Sequence, residues 1–160
     1  MLCNAGNPYS GFALKHVKEL APATGLSIEG VNIDDADGLE GGLQQLLKAR
    51  PDAVLVPGVP AMLIYRKQIT EFMEANRIPA FYPWPEFAET GGLAVYSTNF
   101  DDLFRQAAAY TDKILKGASP GDLPIQQADT FELVVNMRAA KALNLTVPQS
   151  LLVRADELIE

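Results

Sequence analysis

The chain has 160 residues, and 48% of them are apolar, which is enough for one domain with a core but not for two large domains. With 20 acidic and 13 basic residues the formal net charge is -7, so the chain lacks the basic surface that nucleic acid or anionic lipid would need. No run reaches the roughly 20 apolar residues of a membrane span, and the N-terminus has no secretory pattern, so we expect a soluble chain without an export signal.

Short apolar runs alternate along the chain with longer segments of helical period, and Gly, Pro or Asp marks each change. The pattern predicts strands at residues 2–5, 26–33, 53–57, 79–82 and 93–97, and helices at 11–21, 39–49, 61–76 and 101–116. Strands such as "AVLVP" are apolar throughout, which indicates that helices cover both sheet faces. The sequence therefore predicts an α/β fold, a doubly wound parallel sheet forming one Rossmann-like lobe.

The pattern changes after residue 117. The stretch "ASPGDLPIQQADT" predicts an extended connector, "FELVVN" a strand and "MRAAKALN" a short helix. A last helix is expected from Pro148, with an apolar stripe of Leu151, Leu152, Ala155, Leu158 and Ile159. We therefore divide the chain into a ligand-binding lobe at residues 1–118 and a C-terminal strand-helix extension at residues 119–160.

The loop "NAGNPYSG" follows the first predicted strand and leads into a helix. Ser10 is expected to be the N-cap of a helix that begins at Gly11. The free backbone N–H groups of such a helix start, together with the helix dipole, suit a carboxylate or a phosphate. The alternative is a capped turn that binds nothing, and the absence of a GxGxxG or GK[ST] motif disfavours nucleotide binding.

Further candidates follow the third, fourth and fifth predicted strands. Gly58 exposes backbone in "VPGVP", Tyr82 and Trp84 lie in "FYPWPEF", and Tyr96 and Asn99 lie in "YSTN". The carboxyl ends of parallel strands meet at one sheet edge, where open α/β sheets bind ligands. Aromatic and small polar residues at that edge indicate a site for a small amphipathic ligand. The alternative is that Trp84 and Phe87 merely pack over the sheet.

Catalytic and metal chemistry find little support. The "DDAD" run from Asp34 to Asp37 could hold a metal, but a solvated turn with Asp37 capping the next helix is the simpler interpretation. His16 is the single histidine, which argues against His-based metal sites and Ser/His triads. We therefore expect no enzymatic activity, no metal and no cofactor.

Three stretches carry a family resemblance. The tail "LPIQQADTFELVVNMRAAKALNLTVPQSLLVRADELIE", the preceding "FYPWPEFAETGGLAVYSTNFDDLFRQAAAYTDKILKG" and the early "CNAGNPYS" resemble ABC transporter substrate-binding proteins of the tryptophan/aromatic amino acid type. The resemblance covers essentially the whole chain, and the tail is its most specific part. It implies one lobe of a type I periplasmic binding fold, in a group of periplasmic lipoproteins that serve an ABC permease.

The resemblance also carries expectations about extent and site. Family members are about twice this length, and the chain resembles only their second half, so most of the first lobe and the signal are expected to be absent. Asn4 and Ser10 match the ligand-contacting loop, and Tyr82 and Tyr96 match positions that line the crevice. Ala5 replaces a common proline, and "PGVP" replaces a stretch that often carries an aspartate, the expected partner of an α-amino group.

The sequence thus supports two main hypotheses. The first is a truncated solute-binding component that binds a small amphipathic ligand, such as an amino acid or a small carboxylate, at the sheet edge. The second is a stand-alone oligomeric α/β protein without a transport role. In either case we expect a homodimer, because the tail from Phe131 onward would expose apolar surface without the missing lobe.

Overall fold

The computed structural model describes residues 1–33 and 36–160, except for the side chains of residues 36 and 37. Within these residues the strands form one two-stranded and one five-stranded sheet. The first sheet pairs β1 (Leu2–Cys3) with β2 (Val31–Asn32) in parallel. The second has the order β3 (Val54–Leu55), β4 (Ala80–Tyr82), β5 (Ala94–Thr98), β6 (Phe131–Asn136) and β7 (Glu157–Ile159).

Helices connect these strands, as a wound α/β sheet requires. They are α1 (Pro8–Leu20), α2 (Ala36–Ala49), α3 (Pro60–Ile64), α4 (Arg66–Ala75), α5 (Glu86–Glu89), α6 (Phe100–Leu115), α7 (Met137–Ala142) and α8 (Gln149–Leu152). Strands β3, β4 and β5 run parallel, β6 is antiparallel to β5, and β7 is parallel to β6. The predicted α/β fold with a mostly parallel sheet is confirmed, and the reversal at β6 is the departure from it.

One hydrophobic core joins the two sheets. Leu2 and Val31 of the first sheet belong to the same buried cluster as Val54 and Val95 of the second. Phe87 of helix α5 lies at 0% exposure in this cluster. Burial of these side chains supplies the main free energy that holds the helices on the sheet.

Two predicted helices are wrong in extent. The helix expected at residues 61–76 is divided at Tyr65, whose backbone (φ -93°, ψ 12°) leaves helical geometry, while its ring packs against the core. The last helix ends at Leu152, and Leu158 and Ile159 belong to β7 instead of a helical stripe. Backbone pairing with β6 outweighs the helical period there.

Asp156 starts this pairing. Its N–H donates to the carbonyl oxygen of Leu133 at 2.9 Å, and its carboxylate accepts from the Leu133 N–H at 2.8 Å. The strand expected at residues 26–33 is shorter than predicted, because only Val31 and Asn32 pair with the two residues of β1. Asp34 and Asp35 of the "DDAD" run, and the side chain of Asp37, lie outside what the structure describes.

The expected division at residue 118 falls between two neighbouring strands of one sheet. Strands β5 and β6 share five residue pairs, from Ala94 with Val135 to Thr98 with Phe131. In β6, Leu133 and Val134 are buried. The C-terminal extension therefore contributes the two strands β6 and β7 to the sheet and side chains to its faces.

Helix α6 is amphipathic but poorly covered by the rest of the described chain. Its sequence places Leu103, Ala107, Tyr110, Ile114 and Leu115 on one face, yet none of its side chains is fully buried. Phe104 is 71% exposed and Leu115 is 81% exposed. The helix therefore leaves substantial apolar surface in solvent.

Replacing Phe87 should destabilise the fold strongly. We expect Phe87→Ala to lower the free energy of unfolding by about 3–5 kcal/mol, because it empties a fully enclosed aromatic position. The matched control Phe12→Ala removes an exposed ring and should change the value by about 0.5 kcal/mol or less. Urea unfolding followed by circular dichroism measures both, and equal losses would contradict the core described above.

Candidate functional site

The carboxyl ends of the parallel strands β3, β4 and β5 open onto one edge of the sheet. The loops that leave β3 and β4 touch there. A methyl group placed on Gly58 would lie 3.5 Å from Pro83 Cβ and 3.5 Å from Cζ2 of the Trp84 ring. Gly58 therefore places bare backbone beside an indole that is itself partly buried against the core. The structure brings these two predicted site residues together.

The first loop is built differently from the prediction. Helix α1 begins at Pro8, and Asn7 is its N-cap, because the Asn7 side chain accepts a hydrogen bond of 2.9 Å from the Tyr9 N–H. The assignment of Ser10 as N-cap is therefore wrong. The signal was present in the sequence, since an asparagine directly before a proline is a typical cap followed by the first helical residue.

Ser10 instead fixes the end of β1. Its side chain is buried, and its hydroxyl oxygen accepts a hydrogen bond of 3.0 Å from the Asn4 N–H. The Asn7 N–H also donates to the carbonyl oxygen of Asn4, at 3.1 Å. Asn4 and Ser10 thus lie together, and their contact holds the loop in front of α1 in one conformation.

Tyr82 lies in the core. The side chain is 3% exposed and stacks on Phe87 with ring centroids 4.8 Å apart. A methyl group on Gly92 would come within 2.9 Å of the Tyr82 ring, so glycine is required there. Burial raises the pKa of the Tyr82 phenol well above its usual range. This segment is expected either to contact a ligand or to pack Trp84 and Phe87 over the sheet. Phe87 packs over the sheet.

Tyr96 is the middle residue of β5, and Asn99 directly follows this strand. Tyr96 is 50% exposed and stacks on Phe131 of the antiparallel strand β6, with centroids 5.4 Å apart. Asn99 is the N-cap of α6, where its side-chain oxygen accepts from the Asp102 N–H at 2.9 Å and its amide group donates to the Glu132 carboxylate. The Asn99 side chain therefore already has partners on both sides.

Reactive side chains are not assembled into a centre in the described part of the chain. No group of three or more His, Cys, Asp or Glu residues suited to a metal occurs there. Cys3 is buried, and burial raises the pKa of its thiol, which opposes activation as a nucleophile.

No helix among the described residues has the length and apolar character needed to cross a membrane.

The Ser10 contact can be tested by removing one hydroxyl. We expect Ser10→Ala to cost about 1–3 kcal/mol of stability, because the buried Asn4 N–H loses its acceptor. Thr111→Ala on α6 is the control, since the Thr111 hydroxyl bonds only the helix backbone at an exposed position. If chemical denaturation gives the two variants the same stability, the Ser10 contact does not hold the loop.

Burial of Tyr82 predicts a pH dependence with a definite sign. The phenol ionises near pH 10 when unfolded and only at higher pH when folded, so the wild type should lose stability as the pH rises above about 10. The Tyr82→Phe variant should not show this loss. Above about pH 10, its free energy of unfolding should therefore rise relative to that of the wild type by about 1 kcal/mol per pH unit. Unfolding by urea between pH 8 and roughly pH 11 measures this difference. Tyr9→Phe, which changes an exposed ring, should follow the wild type.

Known proteins share this fold at low sequence identity. A solved structure of an ABC domain in complex with L-Trp from Streptococcus pneumoniae has a TM-score of 0.85 at 23% identity, over 99% of this chain and 55% of its own. A conserved domain protein from Vibrio cholerae gives 0.86 at 22% identity, over 98% and 53%. The ligand-free, open structure of a substrate-binding protein with adhesive properties from Clostridium difficile gives 0.73 at 22% identity, over 99% and 52%.

Sequence similarity also links the chain to a tyrosine-binding relative and to a protein family. The tyrosine-binding protein of Clostridioides difficile (strain R20291) is 24% identical over 99 residues, which are 62% of this chain and 29% of that protein. The chain spans about half the length of the solved structures.

Residues 1–159 match the family described as ABC transporter substrate binding protein. Its members are extracytoplasmic solute-binding proteins and not enzymes, which confirms the expectation of no catalysis. This chain belongs to the ABC transporter substrate-binding protein family.

Proposed function

We propose that this chain is a solute-binding component of an ABC-type importer, and that it binds a small amphipathic ligand at the carboxyl edge of its sheet. The contact between Gly58 and Trp84 carries the proposal. It joins two strand-end loops into a surface that offers both backbone hydrogen-bonding groups and an aromatic ring. Such a combination suits a ligand with one apolar part and one polar end.

The remaining candidate residues hold, border or support the proposed site. Asn4 and Ser10 hold the loop before α1, whose N-terminal N–H groups suit a carboxylate. Asn99 borders the site directly after β5, and Tyr96 lies in the middle of that strand. Tyr82 supports it from beneath, because the ring is buried under the strand end.

Aromatic amino acids are the first ligands to consider, given the tyrosine-binding relative and the relative solved with L-Trp. A small aromatic carboxylate is the second, because residues 57–60, "PGVP", contain no acidic side chain to pair with an α-amino group. The two classes differ by one ammonium group. Comparing L-phenylalanine with 3-phenylpropionate therefore separates them.

Titration of the labelled protein should locate the ligand. On adding L-tryptophan, L-tyrosine, L-phenylalanine or 3-phenylpropionate, we expect saturable amide shifts in the nuclear magnetic resonance spectrum at Asn4, Ser10, Gly58 and Trp84. Trp84→Leu should weaken binding about three- to tenfold by removing the aromatic contact.

Leu115→Ala at the far end of α6 is the control for this titration, and should leave the affinity unchanged. Shifts that cluster instead on the helix faces near Lys48 or Lys113 would contradict the assignment of the site. An absence of any saturable shift with all four compounds would contradict the proposed ligand class.

The proposal implies partners and a location. An ABC permease would receive the ligand, and the chain would act in the periplasm, as the family does. A single lobe touches only one side of a ligand, so water stays in contact with the other side and affinity is limited. We therefore expect weak binding by the chain as it stands.

A stand-alone oligomer remains the second candidate, and one observation favours self-association. The stacked pair Tyr96 and Phe131 is half-exposed on the sheet, while Phe104 and Leu115 are exposed on α6. We propose that a second copy of the chain covers these four side chains in a two-fold dimer. The contact would then include Phe131, where the C-terminal strand β6 begins.

Sedimentation at micromolar concentration tests the dimer. Phe131→Glu should shift the protein toward a 17.3 kDa monomer, because it places a charge in the proposed contact. Leu26→Glu alters an exposed apolar residue outside this surface and should leave the dimer intact. A wild type that sediments as a monomer would exclude the proposal.

A further inference from the structure

A cleft of about 300 Å³ lies at the opposite edge of the same sheet, where β5 begins and β6 and β7 end. The Asn136 N–H donates to the carbonyl oxygen of Leu93 at 2.8 Å, which places the end of β6 beside the start of β5. Ala88 and Ile159 contribute apolar surface to the cleft. Its volume falls at the lower end of the range for small-molecule sites.

Charges of both signs line this cleft without meeting. Glu74 near the end of α4 and Glu89 at the end of α5 form no ion pair or side-chain hydrogen bond with any residue that the structure describes. Arg138 also lines the cleft, and its Nε donates to a main-chain oxygen of Glu160. Residues of both charge signs therefore line one cleft, and no ion pair joins Arg138 to Glu74 or Glu89.

Asn136 adds a neutral donor on the side of Arg138. Its side chain is 6% exposed, and its oxygen accepts from the Ala139 N–H at 3.0 Å, which caps α7. This bond fixes the amide orientation and turns the NH₂ group away from the helix. Among the described residues, that NH₂ group has no acceptor.

We propose that this cleft is a second binding site, specific for a small zwitterion with an ammonium and a carboxylate group. The ammonium lies toward Glu74 and Glu89, and Glu74 belongs to the last turn of α4, where the helix dipole also favours positive charge. The carboxylate lies toward Arg138 and the NH₂ group of Asn136, where charge-assisted hydrogen bonds are available. A ligand with both charges gives Glu74 and Glu89 a cationic partner and places its carboxylate beside Arg138 and Asn136. The site does not depend on the proposed function at the other edge.

Amide shifts with simple probes test the proposal. Glycine, β-alanine and γ-aminobutyrate, titrated separately, should show saturable shifts at Gly91, Asn136 and Ala139 for at least one of the three. Acetate and methylammonium carry one charge each and should bind at least about tenfold more weakly. Shifts at Gly58 and Trp84 report on the other edge, so failure of one site is distinguishable from failure of the other.

Charge-neutralising variants complete the test. Arg138→Gln and the double variant Glu74→Gln/Glu89→Gln should each lower the affinity about tenfold or more. Glu86→Gln on the same helix α5 and Arg154→Gln are the matched controls, since neither residue lines the cleft. Equal binding by acetate, unchanged affinity in both cleft variants, or an absence of saturable shifts at Gly91, Asn136 and Ala139 would overturn the proposal.

Discussion

The parallel register of β3, β4 and β5 is the constraint on which the rest of the structure depends. Val54 pairs with Ala80 and Phe81 pairs with Ala94, so three successive strands end at one edge of the sheet. The loops that follow them are thereby brought within contact distance, although they are far apart in sequence. The position of Gly58 against Trp84 is a consequence of this register, and it needs no direct attraction between the two loops.

The packing beneath that edge limits which side chains can reach a ligand. Tyr82 is held between the Phe87 ring and the backbone near Gly92, and it therefore fixes the end of β4. Trp84, which is only partly buried, is the aromatic side chain of this segment that is left for a ligand. Ser10 acts similarly at β1, since its hydroxyl is used to hold the Asn4 backbone. Residues that shape the site and residues that could touch a ligand are therefore largely different residues.

Periodicity was sufficient to predict the fold class, because buried parallel strands and amphipathic helices have distinct local patterns. It failed where pairing partners decide the outcome. Leu158 and Ile159 fit a helical stripe, yet Asp156 joins them to β6 as a strand. The site was predicted as a set of strand ends, which follows from topology. Whether Tyr82 faces solvent or the core depends on Phe87, which lies five residues along the chain, and no local pattern specifies that contact.

The two edges of the sheet carry different chemistry for a physical reason. At the carboxyl edge, the β3 and β4 loops are rich in proline, glycine and aromatic residues, so the proposed site there would use backbone groups and ring faces. At the start of β5, Glu74, Glu89 and Arg138 line one cleft, so the second proposed site would use charge. Apolar stacking tolerates a range of ligand shapes, whereas separated charges select for a fixed spacing. A fold of this size can therefore present two sites of different selectivity without either one disturbing the core between them.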